Sequence, residues 1–400
     1  MASLSLRPQA VRLPGAKEVM RLLYLALMAM VIAGCVPRTR TEAPPPPPQQ
    51  EAEPTRPIGR LPADETRNRV AVLVPLSGPN AALGQSLLNA ANLALLDTGG
   101  QRIRITGYDT QRAGGAAAAA NEALEDGNAL FLGPLLADDV RAVAPIARSA
   151  GVPVLSFSND ISVAGDGVFV LGVTPGQTID RVVSFAASRG VRRFGALVPT
   201  GTYGDRAGQA FTAAVESAQG SLVGTESYAR AAAEMRAAAG RLNGHGRMDA
   251  VLIADGASGA VQLVPVVRGV SPPPRVLGTE LWATESNLAA NAGLRGAWFA
   301  APSDANFGAF RNRYRARYNS APFRLASLGY DAVLLAVRIA TNWPVGRRFP
   351  ARELTESTGF AGVDGAFRLR RNGTAERALE VREVGAAGTT VASPAPRGFE

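Results

Sequence analysis

From residue 69 onward, short apolar runs alternate with longer stretches whose apolar residues recur at helical spacing. The run "RVAVLVPL" at 69–76 is typical of a buried strand, and "ALGQSLLNAANLALLD" at 82–97 is typical of an amphipathic helix. Three more strand and helix units follow in the same order, which indicates βαβ crossovers and a parallel sheet covered on both faces. The alternation restarts near Pro175 and predicts a second α/β layer set.

The C-terminal part of the chain departs from this alternation. Two helical stretches, "NFGAFRNRYRARY" and "LASLGYDAVLLAVRIATNW", follow each other directly. The segment "GVDGAFRLRRNGTAERALEVREV" then alternates like a β-hairpin. Residues 386–400 are predicted to form a flexible tail.

The N-terminal region predicts an exported protein. Arg21 precedes an apolar run at 22–32, which is too short to span a bilayer, since a spanning helix needs about 20 apolar residues. A positive flank, a short apolar segment and small residues at its end describe a secretory signal peptide, here residues 1–34. Translation could start at Met1 or at Met20.

Cys35, the only cysteine of the chain, directly follows Ala33 and Gly34. A small-residue site that ends in cysteine resembles the lipobox of bacterial lipoproteins, which implies acylation of Cys35 and attachment to a membrane through an N-terminal lipid. The alternative is an ordinary thiol in a soluble protein. Val36 after the cysteine, in place of Asp, resembles the sorting signal for the outer membrane. Residues 35–68 include "APPPPPQQEAEPTRP", which is typical of an extended tether.

The polar composition excludes several kinds of chemistry. Lys17 is the only lysine and lies in the predicted signal peptide, so neither a P-loop nor a Schiff-base lysine can exist in the mature chain. His245 is the only histidine, and no set of zinc ligands is available. We therefore expect a protein that is not an enzyme and has no cofactor and no metal site. Hydrolysis by carboxylates alone stays open.

Polar, glycine-rich loops follow the predicted strands, among them "PLSGPN", "SFSND", "PTGTYGD" and "GTELW". Ligands of open α/β sheets bind outside the carboxyl ends of the strands, so these loops predict a cleft between two lobes. Each candidate residue also has an ordinary structural interpretation as a turn, a helix cap, packing or a solvated acid. The candidate ligand-binding residues are Ser77, Asn80, Gly84, Gly133, Ser156, Ser158, Tyr203, Asp255 and Glu280.

The segments "VAVLVPLSGPNAALGQSLLNAANLAL" and "GPLLADDVRAVAPIARSAGVPVLSFSND" resemble the type I periplasmic binding proteins of the leucine/isoleucine/valine-binding superfamily. The resemblance covers about residues 69–384. It implies two α/β lobes, each with a mainly parallel sheet flanked by helices, joined by three crossovers. The first lobe would take 69–174 and 301–341, and the second would take 175–300 and 342–385.

More narrowly, "LGPLLADDV", "LGVTPGQTIDRV" and "LVPTGTYGDRAGQAF" resemble the lipoprotein activators of penicillin-binding proteins. In amino-acid-binding relatives, the loop after the third strand offers hydroxyl groups to the ligand carboxylate. This chain places Leu135, Leu136 and Ala137 there, and their side chains cannot replace those donors. The resemblance therefore implies an activator of peptidoglycan synthesis that docks onto a penicillin-binding protein without chemistry of its own.

The alternative function is a substrate-binding lipoprotein that delivers amino acids of the branched-chain type, or other small solutes, to an ABC permease, with a small polar ligand in the interlobe cleft. The formal net charge is +9, and Arg311, Arg313, Arg315 and Arg317 lie on one predicted helix. These arginines form either a solvated face or a surface for an acidic partner. Nucleic acid is not an expected partner, because the lipobox directs the protein out of the cytoplasm.

Overall fold

The computed structural model describes residues 66–285 and 288–399. The predicted signal peptide, Cys35 and the tether up to residue 65 lie outside the described residues. Within the described ranges, no helix combines the length and the apolar composition that a membrane crossing requires.

Lobe 1 is built on a parallel sheet. Its first elements are β1 (Asn68–Val74), α1 (Ala81–Asp97), β2 (Ile103–Asp109), α2 (Gly115–Glu125), β3 (Phe131–Leu132), α3 (Ala137–Ala150), β4 (Val154–Ser156) and β5 (Val168–Val170). The sheet order is β2-β1-β3-β4-β5, and all four strand pairs are parallel. Residues 70–74 of β1, which has a neighbouring strand on each side, are inaccessible to solvent, because helices cover both faces of the sheet.

Lobe 2 repeats this architecture. Its elements are α4 (Pro175–Ser188), β6 (Arg193–Pro199), α5 (Thr202–Ser217), β7 (Ser221–Tyr228), α6 (Ala232–Gly244), β8 (Ala250–Ile253), α7 (Ala257–Val267), β9 (Arg275–Gly278) and β10 (Trp298–Ala301). Strands β7-β6-β8-β9-β10 are parallel neighbours in that order. Two apolar clusters, one on each face, form the core of this lobe. The predicted fold of mainly parallel sheets flanked by helices is confirmed.

After β10 the chain returns to lobe 1. It forms α8 (Phe307–Tyr318), α9 (Ala326–Ala340) and a small antiparallel sheet of β11 (Phe360–Gly362), β12 (Gly365–Leu369) and β13 (Ala375–Arg377). Helix α9 lies so close to α1 that a side chain at Gly329 would collide with the carbonyl of Leu87. Phe310 of α8 is fully buried in the core of lobe 1.

The segment 342–385 differs from its predicted assignment to lobe 2. Trp343, Phe349, Phe360 and Phe367 belong to the apolar core of lobe 1, so most of this segment completes that lobe. Only β14 (Glu380–Val384) rejoins lobe 2, where it pairs antiparallel with β10. The prediction was wrong here because an alternating pattern identifies strands but not the core that they cover. Segments 171–174, 302–306 and 378–379 are the three crossovers between the lobes.

The predicted boundaries at the two ends also change. Asn68, assigned to the tether, is the first residue of β1. Strand β15 (Thr389–Ser393), within the predicted flexible tail, pairs antiparallel with β14 and forms the edge of the lobe 2 sheet. Arg181 of α4 holds the end of β15 in place. It donates hydrogen bonds to Ser393 Oγ, the last residue of the strand, at 2.7 Å and to the carbonyl of Pro394 at 3.3 Å.

Candidate functional site

A cleft between the two lobes contains two adjoining chambers. The inner chamber has a volume of about 300 Å³ and reaches the crossovers at Gly172 and Pro302. The outer chamber has a volume of about 270 Å³ and lies between lobe 1 and the start of α5. Leu135, Leu136 and Asn159 line both chambers and form the boundary between them.

The inner chamber is mostly apolar. Lobe 1 supplies most of this lining, through Leu83 on α1, the loop after β3 and the region where α9 begins. Small-molecule sites in proteins are typically concave and apolar, with a few polar groups that fix the orientation of the ligand. The main apolar side chains of the inner chamber are Leu83, Leu135, Leu136, Phe157, Leu281, Leu325 and Leu328.

Two glycines bring the lobe 1 loops together. The carbonyl of Pro75 lies against Gly84, so α1 approaches the end of β1 more closely than any side chain at position 84 would allow. Gly133 has a φ of 97°, and a side chain there would collide with the carbonyl of Leu73. Both predicted site residues are therefore structural, and they position the loops that carry Asn80 and Leu135.

Glu280, at the end of β9, is the polar centre of the lobe 2 wall. Its side chain lines the inner chamber although the residue is only 9% exposed. Glu280 Oε2 accepts a hydrogen bond from Thr178 at 3.0 Å, and Oε1 accepts one from Tyr203 at 3.0 Å. Burial raises the pKa of Glu280 and outweighs these hydrogen bonds, which favour the ionised form.

The start of α4 holds Thr178 in place. Thr174 and Gln177 form a reciprocal capping box at the N-terminus of the helix, and Pro175 occupies its first turn. Thr178 follows one residue later and is fully buried. Burial and the neighbouring Glu280 carboxylate both raise the pKa of Tyr203, so its hydroxyl stays protonated and donates to Glu280.

A charged pair closes the lobe 1 end of the inner chamber. Arg324 Nη1 lies 2.6 Å from Asp364 Oδ1, and Ser327 donates to Asp364 Oδ2 at 2.8 Å. Asp331 lies behind this pair on α9 and accepts hydrogen bonds from the backbone N–H groups of Val363 and Asp364. Complete burial, together with the nearby Asp364 carboxylate, raises the pKa of Asp331 to about 7.

A second charged pair crosses the outer chamber from lobe to lobe. Arg206 of α5 contacts Asp160 of lobe 1, with Nη1 2.7 Å from Oδ1. Arg141 of α3 contacts the other carboxylate oxygen at 3.0 Å. Burial opposes ionisation of Asp160, but hydrogen bonds from Ser162 and the Arg206 guanidinium outweigh it and lower its pKa. We call the contact between Asp160 and Arg206 the interlobe ion pair.

The structure brings four of the nine predicted residues to the cleft. Asn80 and Glu280 line the inner chamber, and Ser158 and Tyr203 line the outer one. Asn80 precedes α1, but its side chain makes no capping hydrogen bond to the helix.

The other polar candidates are occupied by their own neighbours and line neither chamber. Ser77 hydrogen-bonds to the carboxylate of Asp109. Ser156 is fully buried, donates to the carbonyl of Pro134 at 3.1 Å and accepts from the N–H of Ser158. Asp255 receives both Nε and Nη2 of Arg230 at 3.1 Å, and the hydroxyl of Tyr228 at 2.9 Å.

Several lining residues have no clear signal in the sequence. Arg324, Leu325 and Leu328 come from the start of α9, far along the chain from the loops that they face. Asn159 and Asp160 stand in the quoted loop "SFSND", next to a predicted residue, and the same strand-end argument could have included them. Arg206 lies one helical turn beyond Thr202, where a strand-end argument no longer applies.

The family model described as periplasmic binding protein matches residues 68–389, which includes both lobes and the whole cleft. The chain belongs to this family. The prediction of a leucine-binding-protein-like type I periplasmic binding protein is confirmed by this match and by the structural neighbours. Membership implies a periplasmic or extracellular location.

Solved periplasmic binding proteins share the fold. A putative branched-chain amino acid ABC transporter protein from Rhodospirillum rubrum superposes with a TM-score of 0.72 and 21% identity, over 81% of this chain and 99% of that one. An ABC transporter substrate-binding protein from Sphaerobacter thermophilus gives 0.69 and 19%, over 83% and 98%. A solute-binding protein of R. palustris in complex with benzoate gives 0.59 and 19%, over 82% and 97%.

An uncharacterized protein of Rickettsia prowazekii (strain Madrid E) is 26% identical to this periplasmic binding protein over 159 residues. The match covers 40% of this chain and 43% of that relative, so it spans less than half of either. Among residues 66–285 and 288–399, no group of three or more His, Cys, Asp or Glu side chains is arranged to hold a metal ion.

Proposed function

We propose that this protein binds a small solute in the interlobe cleft and delivers it to an ABC permease, without catalysing a reaction. The observation that carries the proposal is the inner chamber, about 300 Å³ in volume, with Glu280 as a buried polar group on an otherwise mostly apolar lining. That volume is at the lower end of the range of about 300–1,000 Å³ found for small-molecule sites. The solved relatives named above include a putative branched-chain amino acid ABC transporter protein and a solute-binding protein in complex with benzoate.

Isothermal titration calorimetry of the purified protein tests this function. The panel contains branched-chain amino acids, aromatic acids and amides, and short peptides. We expect at least one micromolar ligand, and we expect Leu83→Trp, which fills the inner chamber, to abolish its binding. Leu222→Trp, at an exposed position on β7, is the matched control. If no compound binds, or if Leu83→Trp binds as well as the control, solute binding in this cleft is wrong.

The proposed cellular position is the outer membrane, with attachment through acylated Cys35. The support is the signal-peptide pattern, the small-residue site before Cys35 and Val36 after it. Cys35→Ala should move the protein from the membrane fraction to the soluble periplasmic fraction. Retention of this variant in membranes would contradict the lipid anchor, and recovery of the unaltered protein with the inner membrane would contradict the proposed sorting.

A second candidate function is the activation of a penicillin-binding protein. Leu135 and Leu136 favour it, because their side chains face both chambers where an amino-acid carboxylate would need donors. Affinity capture of the anchored protein from mild detergent extracts, followed by a glycan-polymerisation assay with the captured synthase, tests this role. Stimulation of polymer formation would support it, and the absence of any peptidoglycan synthase in the captured fraction would reject it.

A further inference from the structure

Every charged side chain that lines the two chambers already has a partner within the protein. Arg324 is paired with Asp364, and Arg206 is paired with Asp160. Glu280 is the remaining charged group, and it is held by the hydroxyls of Thr178 and Tyr203. Burial raises the pKa of Glu280, because it penalises the carboxylate. Among the described residues, both arginines that line the cleft are thus ion-paired, and neither is a free cation for an anionic ligand.

Within the described part of the chain, Arg324 Nη2 is buried without a hydrogen-bond partner and lies 3.6 Å from Asp304 Oδ1. The other unpaired polar groups of the cleft are uncharged amides. The side chain of Asn159 lines both chambers and makes no hydrogen bond with the described residues. The side chain of Asn80 lines the inner chamber and does not cap α1. A carboxamide can donate two hydrogen bonds and accept two, so these residues suit a partner with both donors and acceptors.

The two chambers adjoin and have volumes of about 300 and 270 Å³. They meet at Leu135, Leu136 and Asn159, so one ligand can pass from the inner chamber into the outer one. Its apolar part would contact the leucine side chains of the inner chamber. A polar part at the boundary would reach Asn159 and the outer chamber, which the residues of the interlobe ion pair line.

We propose that the cleft binds an uncharged amphipathic molecule, with an apolar body in the inner chamber and an amide or hydroxyl head at Asn159. This inference rests on the proposed solute-binding function and specifies its ligand class. A free amino acid would bring a carboxylate and an ammonium group into this space. The carboxylate would lose its hydration without gaining an unpaired cation, which makes its transfer unfavourable. A neutral head loses less on dehydration and regains hydrogen bonds from the amides.

Matched ligand pairs test the proposal by calorimetry. N-acetyl-leucinamide is compared with leucine, and benzamide is compared with benzoate. We expect each neutral compound to bind at least tenfold more tightly than its charged counterpart. Tighter binding of leucine and benzoate would overturn the proposed ligand class while leaving solute binding intact. Failure of all four compounds, together with failure of the wider panel, would reject the proposed function and this inference together.

A pair of asparagine variants tests where the head binds. Asn159→Ala should weaken binding of N-acetyl-leucinamide about threefold to tenfold, the usual effect of losing one neutral hydrogen bond. Asn312→Ala, at an exposed position on α8, should leave the affinity unchanged. Equal affinities of the two variants would overturn the assignment of the head to Asn159.

Discussion

The two walls of the cleft are built by different means. On lobe 1, backbone segments approach each other closely at Gly84 and Gly133, and leucine side chains cover the resulting surface. On lobe 2, a hydrogen-bonded group of Thr178, Tyr203 and Glu280 supplies the polarity. The lobe 1 wall therefore sets the shape of the cleft, and the lobe 2 wall adds a buried hydrogen-bonded group to it. Substitutions should separate these two contributions.

The largest effect on stability is expected when a methyl group is added at Gly133, in the loop that shapes the lobe 1 wall. Gly133→Ala places a Cβ against the carbonyl of Leu73 at a positive φ, and we expect a loss of about 3 kcal/mol in the free energy of unfolding. Gly78 also has a positive φ, of 71°, but an added Cβ would meet open space there. We therefore expect Gly78→Ala to cost only the backbone strain, about 1 kcal/mol. Urea denaturation of both variants measures the difference. Equal losses would mean that close backbone approach does not shape this wall.

On the lobe 2 wall, binding should change more than stability. Glu280→Ala removes the acceptor of Thr178 and Tyr203 and leaves a gap in the inner chamber, so we expect ligand affinity to fall more than tenfold. Glu280→Gln keeps an acceptor and is uncharged, and it should bind a neutral ligand within about threefold of the unaltered protein. Calorimetry with one ligand measures both. A Gln variant as defective as the Ala variant would show that the wall requires a carboxylate.

The buried carboxylate behind the lobe 1 wall should make stability depend on pH. The pKa of Asp331 is about 7 in the folded protein and about 3.9 when unfolded, so the folded state binds the proton more tightly. Its contribution to stability is complete below about pH 4 and is lost as pH rises through 7. Asp331→Asn cannot ionise, so its stability relative to the unaltered protein should increase by roughly 2.5 kcal/mol between pH 5 and pH 8.

Thermal unfolding at several pH values measures this difference between the two proteins. Asp364→Asn provides a contrast, because it removes the partner of Arg324 and should destabilise the protein at every pH in the range. If the stability difference between Asp331→Asn and the unaltered protein stays constant with pH, the raised pKa of Asp331 is wrong.

The smallest effect on stability is expected from loss of the interlobe ion pair, which joins the two lobes at the outer chamber. Arg206→Gln removes the interlobe ion pair, whose arginine side chain is 29% exposed, so the stability cost should stay below about 1 kcal/mol. The lobes should separate more readily, which small-angle scattering would record as a larger radius of gyration. Arg315→Gln on α8 is the control. Identical scattering from both variants would show that this contact does not hold the cleft closed.

The sequence predicted the local elements of this fold well, because a run such as "RVAVLVPL" is apolar enough to require burial wherever it lies. It did not predict that 343–375 completes lobe 1, since Phe360 and Phe367 could cover either core equally well by pattern. The same limit explains why β15 was predicted as part of a flexible tail. It is a partly polar edge strand, and only its pairing with β14 identifies it as a strand.

Prediction of the candidate site had a related limit. Asn80, Ser158, Tyr203 and Glu280 were found because the carboxyl ends of parallel strands meet at one edge of a sheet. Whether a polar side chain is available there depends on its neighbours. Asp255 has the same kind of position as Glu280, but Arg230 and Tyr228 occupy its oxygens, and no sequence pattern shows that.

Lobe 1 is built from two segments that lie far apart in the chain, and this affects how the lobe forms during synthesis and export. The five strands of its sheet are complete by residue 170, yet α9 and the sheet of β11, β12 and β13 belong to the same core and arrive more than 150 residues later. Until they emerge, the face of α1 that packs on α9 stays uncovered. Lobe 1 therefore begins before lobe 2 but is completed only after most of lobe 2 has emerged. A chain that is exported from its N-terminus must keep this surface from aggregating while lobe 2 is still being delivered.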